Sequence, residues 1–191
     1  MKRAVVLLLL VAAAPDRPTI PPARDAAVTY RTSGAAAALI PNTGGGEGTG
    51  QMRLRWNAAG LLRLEAEGRP QTLLLDLRSR SAHIVDTALR SAVLLPLKER
   101  DVDGVLLTGA QMTRVREDTV AGLGCTVWSV RAQKGDGTIC LTPDGVPLRV
   151  EGTVDGRHGS LEAVAVQLEP QPPTLFQVPA GYMSFSLPKF K

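Results

Sequence analysis

Cys125 and Cys140 are the only two cysteines of this 191-residue chain. Such a pair can bind a metal, carry out redox chemistry or form a disulfide. A metal site would have to recruit His83 and His158, and none of the close C-x-x-C or H-x-x-x-H spacings that preorganise zinc is present. A redox pair needs the C-x-x-C spacing with a lowered thiol pKa, and these two cysteines are much farther apart in sequence.

The cellular compartment determines whether the two cysteines are oxidised. Residues 1–13 have the layout of a secretory signal peptide: Lys2 and Arg3, an apolar run over 4–11, and small residues that predict cleavage near Ala13. The apolar run is about half of the length that a membrane span needs, so we expect export without a stable membrane anchor. In an oxidising compartment an isolated cysteine pair forms a disulfide, which at this spacing stabilises by about 3 kcal/mol. The sequence therefore predicts a Cys125–Cys140 bridge.

Other side chains offer little chemistry. The glycine-rich stretch at 44–48 lacks the lysine of a phosphate-binding loop, and no G-x-S-x-G nucleophile elbow is present. Glu117 and Asp118 are adjacent on a predicted strand, so they face opposite sides and cannot share a substrate. The sequence thus predicts a protein that is not an enzyme, with no catalytic residue, no metal and no cofactor. The competing hydrolase hypothesis requires His83 to lie near a nucleophile and an acid.

Composition and charge narrow the class of protein. The chain is 44% hydrophobic and 21% charged, which is typical of a globular domain. Its formal charge is +4, and removing Lys2 and Arg3 with the signal peptide leaves 20 basic against 18 acidic residues. This balance, without a basic stripe, predicts that the protein does not bind nucleic acid.

The chain after residue 26 alternates apolar and polar residues with the two-residue period of a β-strand. In residues 51–57, for example, Met52, Leu54 and Trp56 oppose Arg53 and Arg55. This alternation predicts strands at 27–32, 51–57, 61–67, 72–78, 82–86, 91–95, 113–120, 125–131, 138–142, 147–153, 161–168 and 182–187.

Turns, one helix and the domain limits complete this interpretation. Asp-Gly dipeptides at 136–137, 144–145 and 155–156 predict tight turns, because glycine allows the positive φ that they need. Residues 97–111 are the candidate for a short helix, with Leu97, Val102, Val105 and Leu106 as its buried stripe. We expect a flexible N-terminus over 14–26, a long small-residue loop over 33–50, and a single domain over 27–188. Hairpin counting does not place the two cysteines opposite each other, so either a bulge or a diagonal bridge is required.

Two strands carry apolar residues on both faces, L-L-L-D-L at 73–77 and L-E-A-V-A-V-Q-L at 161–168. A one-layer sheet with a solvated outer face does not need this. One explanation is a helix or loop packed on the second face. The other is an apolar concavity that takes a ligand, since small-molecule sites are mostly apolar. By alternation alone, the candidate ligand-binding residues are Met52, Leu54, Trp56, Leu64, Leu75, Val164 and Val166.

Three motifs carry a resemblance to a known family: V-A-G-L-G-C-T-V-W-S-V (120–130), I-C-L-T-P-D-G-V-P-L-R (139–149) and L-F-Q-V-P-A-G-Y (175–182). Together they resemble an exported bacterial family of unassigned function that is similar to the periplasmic outer-membrane lipoprotein carrier and receptor superfamily. The resemblance covers roughly residues 26–188. It implies a mainly β (α+β) fold, with a curled antiparallel sheet (a half-barrel) around a short helix. In the carriers, the apolar concavity holds the acyl chains of lipoproteins.

We therefore expect a periplasmic protein that binds an apolar ligand, with a lipid or a lipidated protein as its partner. Burial of an acyl chain contributes about 0.8 kcal/mol per methylene, so a modest groove is enough. The alternative is an envelope protein-interaction module with a filled core, which binds through an exposed edge or through the glycine-rich loop. The sequence does not assign an oligomeric state.

Overall fold

The computed structural model describes residues 17–36, 49–133 and 135–186. The predicted signal peptide at 1–13 and residues 37–48 of the glycine-rich loop lie outside these ranges. The described residues form twelve strands, one α-helix and a short 3-10 turn at Pro173–Phe176. Their bounds are β1 Ala26–Gly34, β2 Gly50–Asn57, β3 Leu61–Ala66, β4 Gln71–Asp76, β5 Ser81–Asp86, β6 Ser91–Pro96, α1 Glu99–Leu106, β7 Gln111–Val120, β8 Leu123–Ala132, β9 Gly135–Leu141, β10 Pro147–Val154, β11 Arg157–Gln167 and β12 Met183–Ser186.

All twelve strands join one sheet, in the order β12-β6-β5-β4-β3-β2-β1-β11-β10-β9-β8-β7. Neighbouring strands are antiparallel except for β12, which lies parallel to β6. The sheet is not closed into a barrel, since β7 and β12 remain at its two edges. The predicted mainly β fold, a curled sheet around a short helix, is confirmed. Each of the twelve strands overlaps a segment that the alternation predicts.

Helix α1 is shorter than the predicted helix at 97–111. It begins after Lys98, whose backbone N–H donates to Oδ2 of Asp101 at 2.9 Å, and the acidic first turn favours the positive end of the helix dipole. It ends because Leu107 takes the left-handed conformation at φ 52°. Val102 and Leu106 pack on Trp56, but no residue of α1 is fully buried. The helix therefore rests on the sheet without being embedded in it.

The residues that follow β11 cover part of the sheet's second face. We call residues 170–182 the C-terminal segment. Val178 and Tyr182 of this segment pack against the buried cluster of Leu74, Val85 and Ala92, in which Leu74 is 4% exposed. The Arg63 guanidinium donates from Nη1 to the backbone oxygen of Leu175 at 2.8 Å, which ties the segment to β3. A loop packed on the second face thus accounts for the apolar Leu74 in the 73–77 run.

The disulfide between Cys125 and Cys140 is present, with the two Cα atoms 5.5 Å apart, so this prediction is confirmed. Cys140 lies directly opposite Val127, so Cys125 is two residues farther along the neighbouring strand. The bridge is therefore diagonal across β8 and β9. Both cysteines are 2% exposed and belong to the same buried cluster as Tyr30.

One of the three predicted Asp-Gly turns is wrong. Gly145 and Gly156 have the positive φ of a turn, at 84° and 77°. Asp136 and Gly137 instead lie inside β9, paired with β10. A Cβ atom at Gly137 would overlap the carbonyl oxygen of Glu151, so glycine is required there because the two backbones approach closely.

Candidate apolar ligand-binding site

A continuous row of apolar side chains crosses one face of the sheet from β1 to β12. Residues directly opposite each other in paired strands point to the same face, so the strand register defines the row. We call this face of β1–β6 and β12 the inner face, and the row the inner ladder. The inner ladder consists of Val28, Leu54, Leu64, Leu73, Ile84, Val93 and Phe185. A second row on the same face runs parallel to it and consists of Ala26, Trp56, Leu62, Leu75, Ala82 and Leu95.

Exposure of the inner ladder rises from one end to the other. Val28 is 2% exposed, the five residues from Leu54 to Val93 are half-buried, and Phe185 is 53% exposed. Met183, two residues before Phe185 on β12, is 60% exposed. One end of the ladder is therefore covered by protein, and the other end is open at the edge of the sheet.

A cavity of about 120 Å³ lies at the covered end, against Val28, Leu54 and Trp56. Its opposite wall comes from three other parts of the fold: the chain before β1, the end of α1, and the β9–β10 region. The residues of that wall include Ile20, Pro21, Pro22, Leu106, Leu107, Ile139, Leu141 and Val146. The cavity is therefore almost entirely apolar and continuous with the inner ladder at Leu54.

Hydrogen bonds hold the chain before β1 over this cavity. Nε1 of Trp56 donates to the carbonyl oxygen of Pro22 at 3.2 Å. The carboxylate of Asp25 accepts from the backbone N–H groups of Ala58 at 2.8 Å and of Gln171 at 2.7 Å. The last part of the segment predicted as a flexible N-terminus thus lies against the sheet and forms part of the cavity wall.

The charged side chains of β2 and β3 lie on the opposite face of the sheet, which we call the outer face. There the carboxylate of Glu65 accepts from Arg55 and from Arg63, the latter at 2.7 Å. Burial alone would raise the pKa of Glu65, but the two guanidinium groups hold it below its usual value. On the covered side, burial raises the pKa of Tyr30, whose hydroxyl donates to the carbonyl oxygen of Pro147 at 2.6 Å. Tyr30 is thus neutral at the cavity.

The fold is shared with known structures. No family model and no curated protein matches the chain. An uncharacterized conserved protein from Thermus thermophilus matches with a TM-score of 0.56 at 13% identity, over 86% of this chain and 91% of that one. MucB matches with a TM-score of 0.51 at 17% identity, over 86% of this chain and 60% of MucB. At these identities the two matches show a common fold and nothing more.

A third solved structure is a LolA superfamily protein from Nitrosomonas europaea. It matches with a TM-score of 0.44 at 11% identity, over 82% of this chain and 91% of that one. Structural neighbours thus include a member of the superfamily that the sequence motifs resemble. In the described residues, no helix is long and apolar enough to cross a membrane.

The seven ligand-binding residues predicted from alternation occupy different environments. Leu54 and Trp56 line the cavity. Leu64 and Leu75 lie on the inner face beside it, half-buried. Met52 is 2% exposed and belongs to the buried cluster that also contains Tyr30 and the two cysteines, which we call the main buried cluster. The remaining two predicted residues are on β11.

Val164 and Val166 do not share a face. Val166 lies opposite Val28 and packs on the main buried cluster. A β-bulge separates it from Val164, because Thr29 pairs with Ala165 whereas the next residue, Tyr30, pairs with Ala163. The bulge leaves Val164 without a partner in the ladder and 42% exposed, away from the inner face.

Sequence reasoning missed most of the open half of the site. Leu73, Ile84, Val93 and Phe185 belong to the inner ladder, and the strand register identifies them. Alternation does not, because Leu74, Val85 and Leu94 make β4–β6 apolar on both faces. The chain before β1, which forms part of the cavity wall, is not a strand and has no alternation to report its position.

The two histidines lie apart from this site. His83 is on the outer face of β5, between Leu74 and Leu94 of the neighbouring strands. Nε2 of His158 is 3.7 Å from the carboxylate of Glu151. Among the described residues, no three His, Cys, Asp or Glu side chains are grouped to hold a metal ion.

Proposed function

We propose that this protein is a periplasmic binding protein for an apolar chain, such as the acyl chain of a lipid or of a lipidated protein. The chain lies along the inner ladder, with one end in the cavity at Leu54 and Trp56. The observation that carries the proposal is the apolar ladder itself, which is continuous across seven strands and only partly covered. The periplasmic location rests on the predicted signal peptide and on the disulfide.

The size of the cavity favours a long, thin ligand. At about 120 Å³ it is smaller than the roughly 300 Å³ at which pockets for drug-sized ligands begin. It is closer to the engineered cavity of ~150 Å³ that accepts benzene. The enclosed space therefore fits only the end of a chain, and the rest of the chain lies on the open ladder. From β2 to β12 that ladder covers five strand spacings, or about 24 Å.

The exposed end of the ladder supplies the driving force. Covering apolar side chains that are in contact with water contributes about 25 cal/mol to the binding free energy for each Å² of surface removed from water. Each methylene of the ligand that leaves water contributes about 0.8 kcal/mol more. A chain that covers Ile84, Val93 and Phe185 therefore gains affinity from both surfaces without any polar contact.

Native mass spectrometry with lipid extraction tests the proposal, on protein purified from a periplasm without detergent. We expect a mass shift that matches a co-purified lipid. Val93→Asp places a charge on the half-buried inner ladder and should abolish the shift, whereas Val164→Asp places the same charge on the exposed bulge and should retain it. Protein that stays free of lipid when lipids are supplied would overturn the proposal.

A second candidate function is a protein-interaction module of the envelope. The observation that favours it is the edge strand β12, which carries the exposed side chains Met183 and Phe185. An uncovered strand edge of this kind can pair with a strand of another protein. Lipid-free protein that captures a peptide partner, with capture lost in Phe185→Asp, would support this alternative.

A further inference from the structure

Two turns in the open half of the sheet repeat one sequence pattern, D-x-x-x-R-S-A, at 76–82 and at 86–92. In the first turn, Oδ1 of Asp76 accepts from the backbone N–H of Arg78 at 2.9 Å and of Ser79 at 3.1 Å. In the second, Oδ1 of Asp86 accepts from the backbone N–H of Leu89 at 2.9 Å. Both aspartates thus cap a turn of similar construction.

The two aspartates nevertheless lie on opposite faces. Asp76 follows Leu75 on β4 and is therefore on the outer face, opposite Ser81. Asp86 is two residues from Ile84 on β5 and therefore shares the inner face with the ladder. Only one of these two turn caps is in a position to contact a ligand on the inner face.

Asp86 is the centre of a polar row on the inner face. It lies opposite Gln71 on β4 and opposite Ser91 on β6, and Nε2 of Gln71 donates to its Oδ2 at 2.7 Å. We call Gln71, Asp86 and Ser91 the polar rung. Each of the three is two residues, about 7 Å, from the ladder residue of its own strand.

The opposite end of the same strands is apolar. Leu77, which follows β4, is 9% exposed and clusters with Trp56 beneath Val102 and Leu106 of α1. On β4–β6 the inner face therefore runs from an apolar end beneath α1 to a polar end at the polar rung, beside which Met183 of β12 lies opposite Ser91. A hydrocarbon without a polar head would gain no affinity from the polar rung, whereas an amphiphile could place its head there.

From this asymmetry, and resting on the proposed function, we infer the class and the orientation of the ligand. It is a single-chain amphiphile with an uncharged, hydroxyl-bearing head, such as a monoacylglycerol. Its tail lies toward α1 and the cavity, and its head donates hydrogen bonds to Asp86 and to the Ser91 hydroxyl.

The chemistry of Asp86 supports an uncharged head. The hydrogen bond from Leu89, followed by that from Gln71, lowers the pKa of Asp86, so the carboxylate is charged at neutral pH. A charged acceptor binds hydroxyl donors strongly and repels a carboxylate or phosphate head. Arg90 lies over the Tyr182 ring, with its guanidinium 5.9 Å from the ring centre, and Tyr182 packs on the outer face with Leu74.

The first test compares two ligands with the same chain, monomyristoylglycerol and myristate, in calorimetric titrations of the full mature protein at neutral pH. We expect the glycerol ester to bind about tenfold more tightly, the size of one hydrogen bond to a charged group. Asp86→Asn retains a cap oxygen but loses the charge, and should remove most of this preference. Asp76→Asn is the matched control, since it alters the equivalent cap on the outer face and should leave the preference unchanged.

Two outcomes would overturn the inference while the proposed function stands. In one, the wild type binds the two ligands equally; in the other, Asp86→Asn still prefers the ester. Failure to bind either ligand would overturn both. Gln71→Leu serves as a second variant, because it removes the side chain that holds Asp86 and should also weaken the preference.

The second test determines the orientation by fluorescence quenching, in a Trp128→Phe background that leaves Trp56 as the only tryptophan. Monoacylglycerols carry bromine either on the terminal carbon of the chain or on the carbon beside the carbonyl. We expect the terminal bromine to quench Trp56 more strongly, since Trp56 lines the cavity at the covered end. Stronger quenching by the bromine beside the head would reverse the orientation and overturn the inference.

Discussion

Asp118 of β7 and Arg149 of β10 form an ion pair of 2.9 Å, although β8 and β9 lie between their strands in the sheet. The pair extends into a network, because Arg116 also donates to Asp118 and Arg149 also donates to Glu162. The hydrogen bond from Arg116, with further contributions from the Thr119 backbone and Arg149, lowers the pKa of Asp118 to about 2. The curl of the sheet thus gives one carboxylate several donors.

The Asp118 network predicts a specific loss of stability in acid. The folded pKa of about 2 is below the unfolded value of about 3.9, so the contribution of Asp118 is complete above the unfolded pKa and is lost as pH falls toward 2. The difference in free energy of unfolding between wild type and Asp118→Asn should therefore shrink between pH 4 and pH 2. Urea titrations across that range measure it. A difference that stays constant with pH would contradict the assignment.

The diagonal disulfide predicts a large loss of stability on removal. It closes a loop with a sequence separation of 15, for which the chain-entropy model gives about 3 kcal/mol. The Cys125→Ala/Cys140→Ala variant should lose about this much free energy of unfolding, measured by urea titration. Wild type with reductant provides the comparison, and a loss below about 1 kcal/mol would show that the bridge is dispensable.

Tyr30→Phe tests the hydrogen bond beneath the cavity. Its hydroxyl is the donor to the buried carbonyl oxygen of Pro147, and the residue is 1% exposed. Removing the hydroxyl leaves that acceptor without its donor, so we expect a loss of about 1–2 kcal/mol in thermal or urea unfolding. Tyr182→Phe, which retains the ring beside Arg90, is the control and should change stability little.

Leu74→Ala tests whether the C-terminal segment forms part of the core. Leu74 is 4% exposed beneath Val178 and Tyr182, so truncation should cost about 2–4 kcal/mol. Leu89→Ala, at a residue that is 69% exposed, should cost almost nothing. If Leu74→Ala were as mild as Leu89→Ala, the segment would not be packed on this face in solution. Differential scanning calorimetry compares the two variants.

Much of the fold follows from the sequence because two-residue alternation reports directly which residues are half-buried. This signal locates all twelve strands, and it places Met52, Leu54 and Trp56 on one face. It fails at Val164, because a bulge inserts one residue and inverts the alternation on one side of it. Gly137 is misassigned for a related reason, since glycine serves both turns and close backbone approach.

The candidate site was less predictable, because its parts come from distant segments. Leu54 and Ile20 meet at the cavity, and no local pattern connects a strand with the chain that precedes β1. The sequence also gives no signal that Asp86 belongs to the site. It carries the same turn motif as Asp76, and only the register shows that one of the two faces the ladder.

The position of β1 in the middle of the sheet has a consequence for how the protein is made. Strands β2–β6 and β7–β11 each pair with their neighbours in sequence, so both halves can form locally. The seam between the halves is the pairing of β1 with β11, which joins Ala27 to Gln167. A chain that emerges N-terminus first presents β1 long before its second partner exists. We expect the pairing of β1 with β11 to limit the folding rate. Until β11 pairs with it, the open edge of β1 is the strand edge at which we expect aggregation to begin.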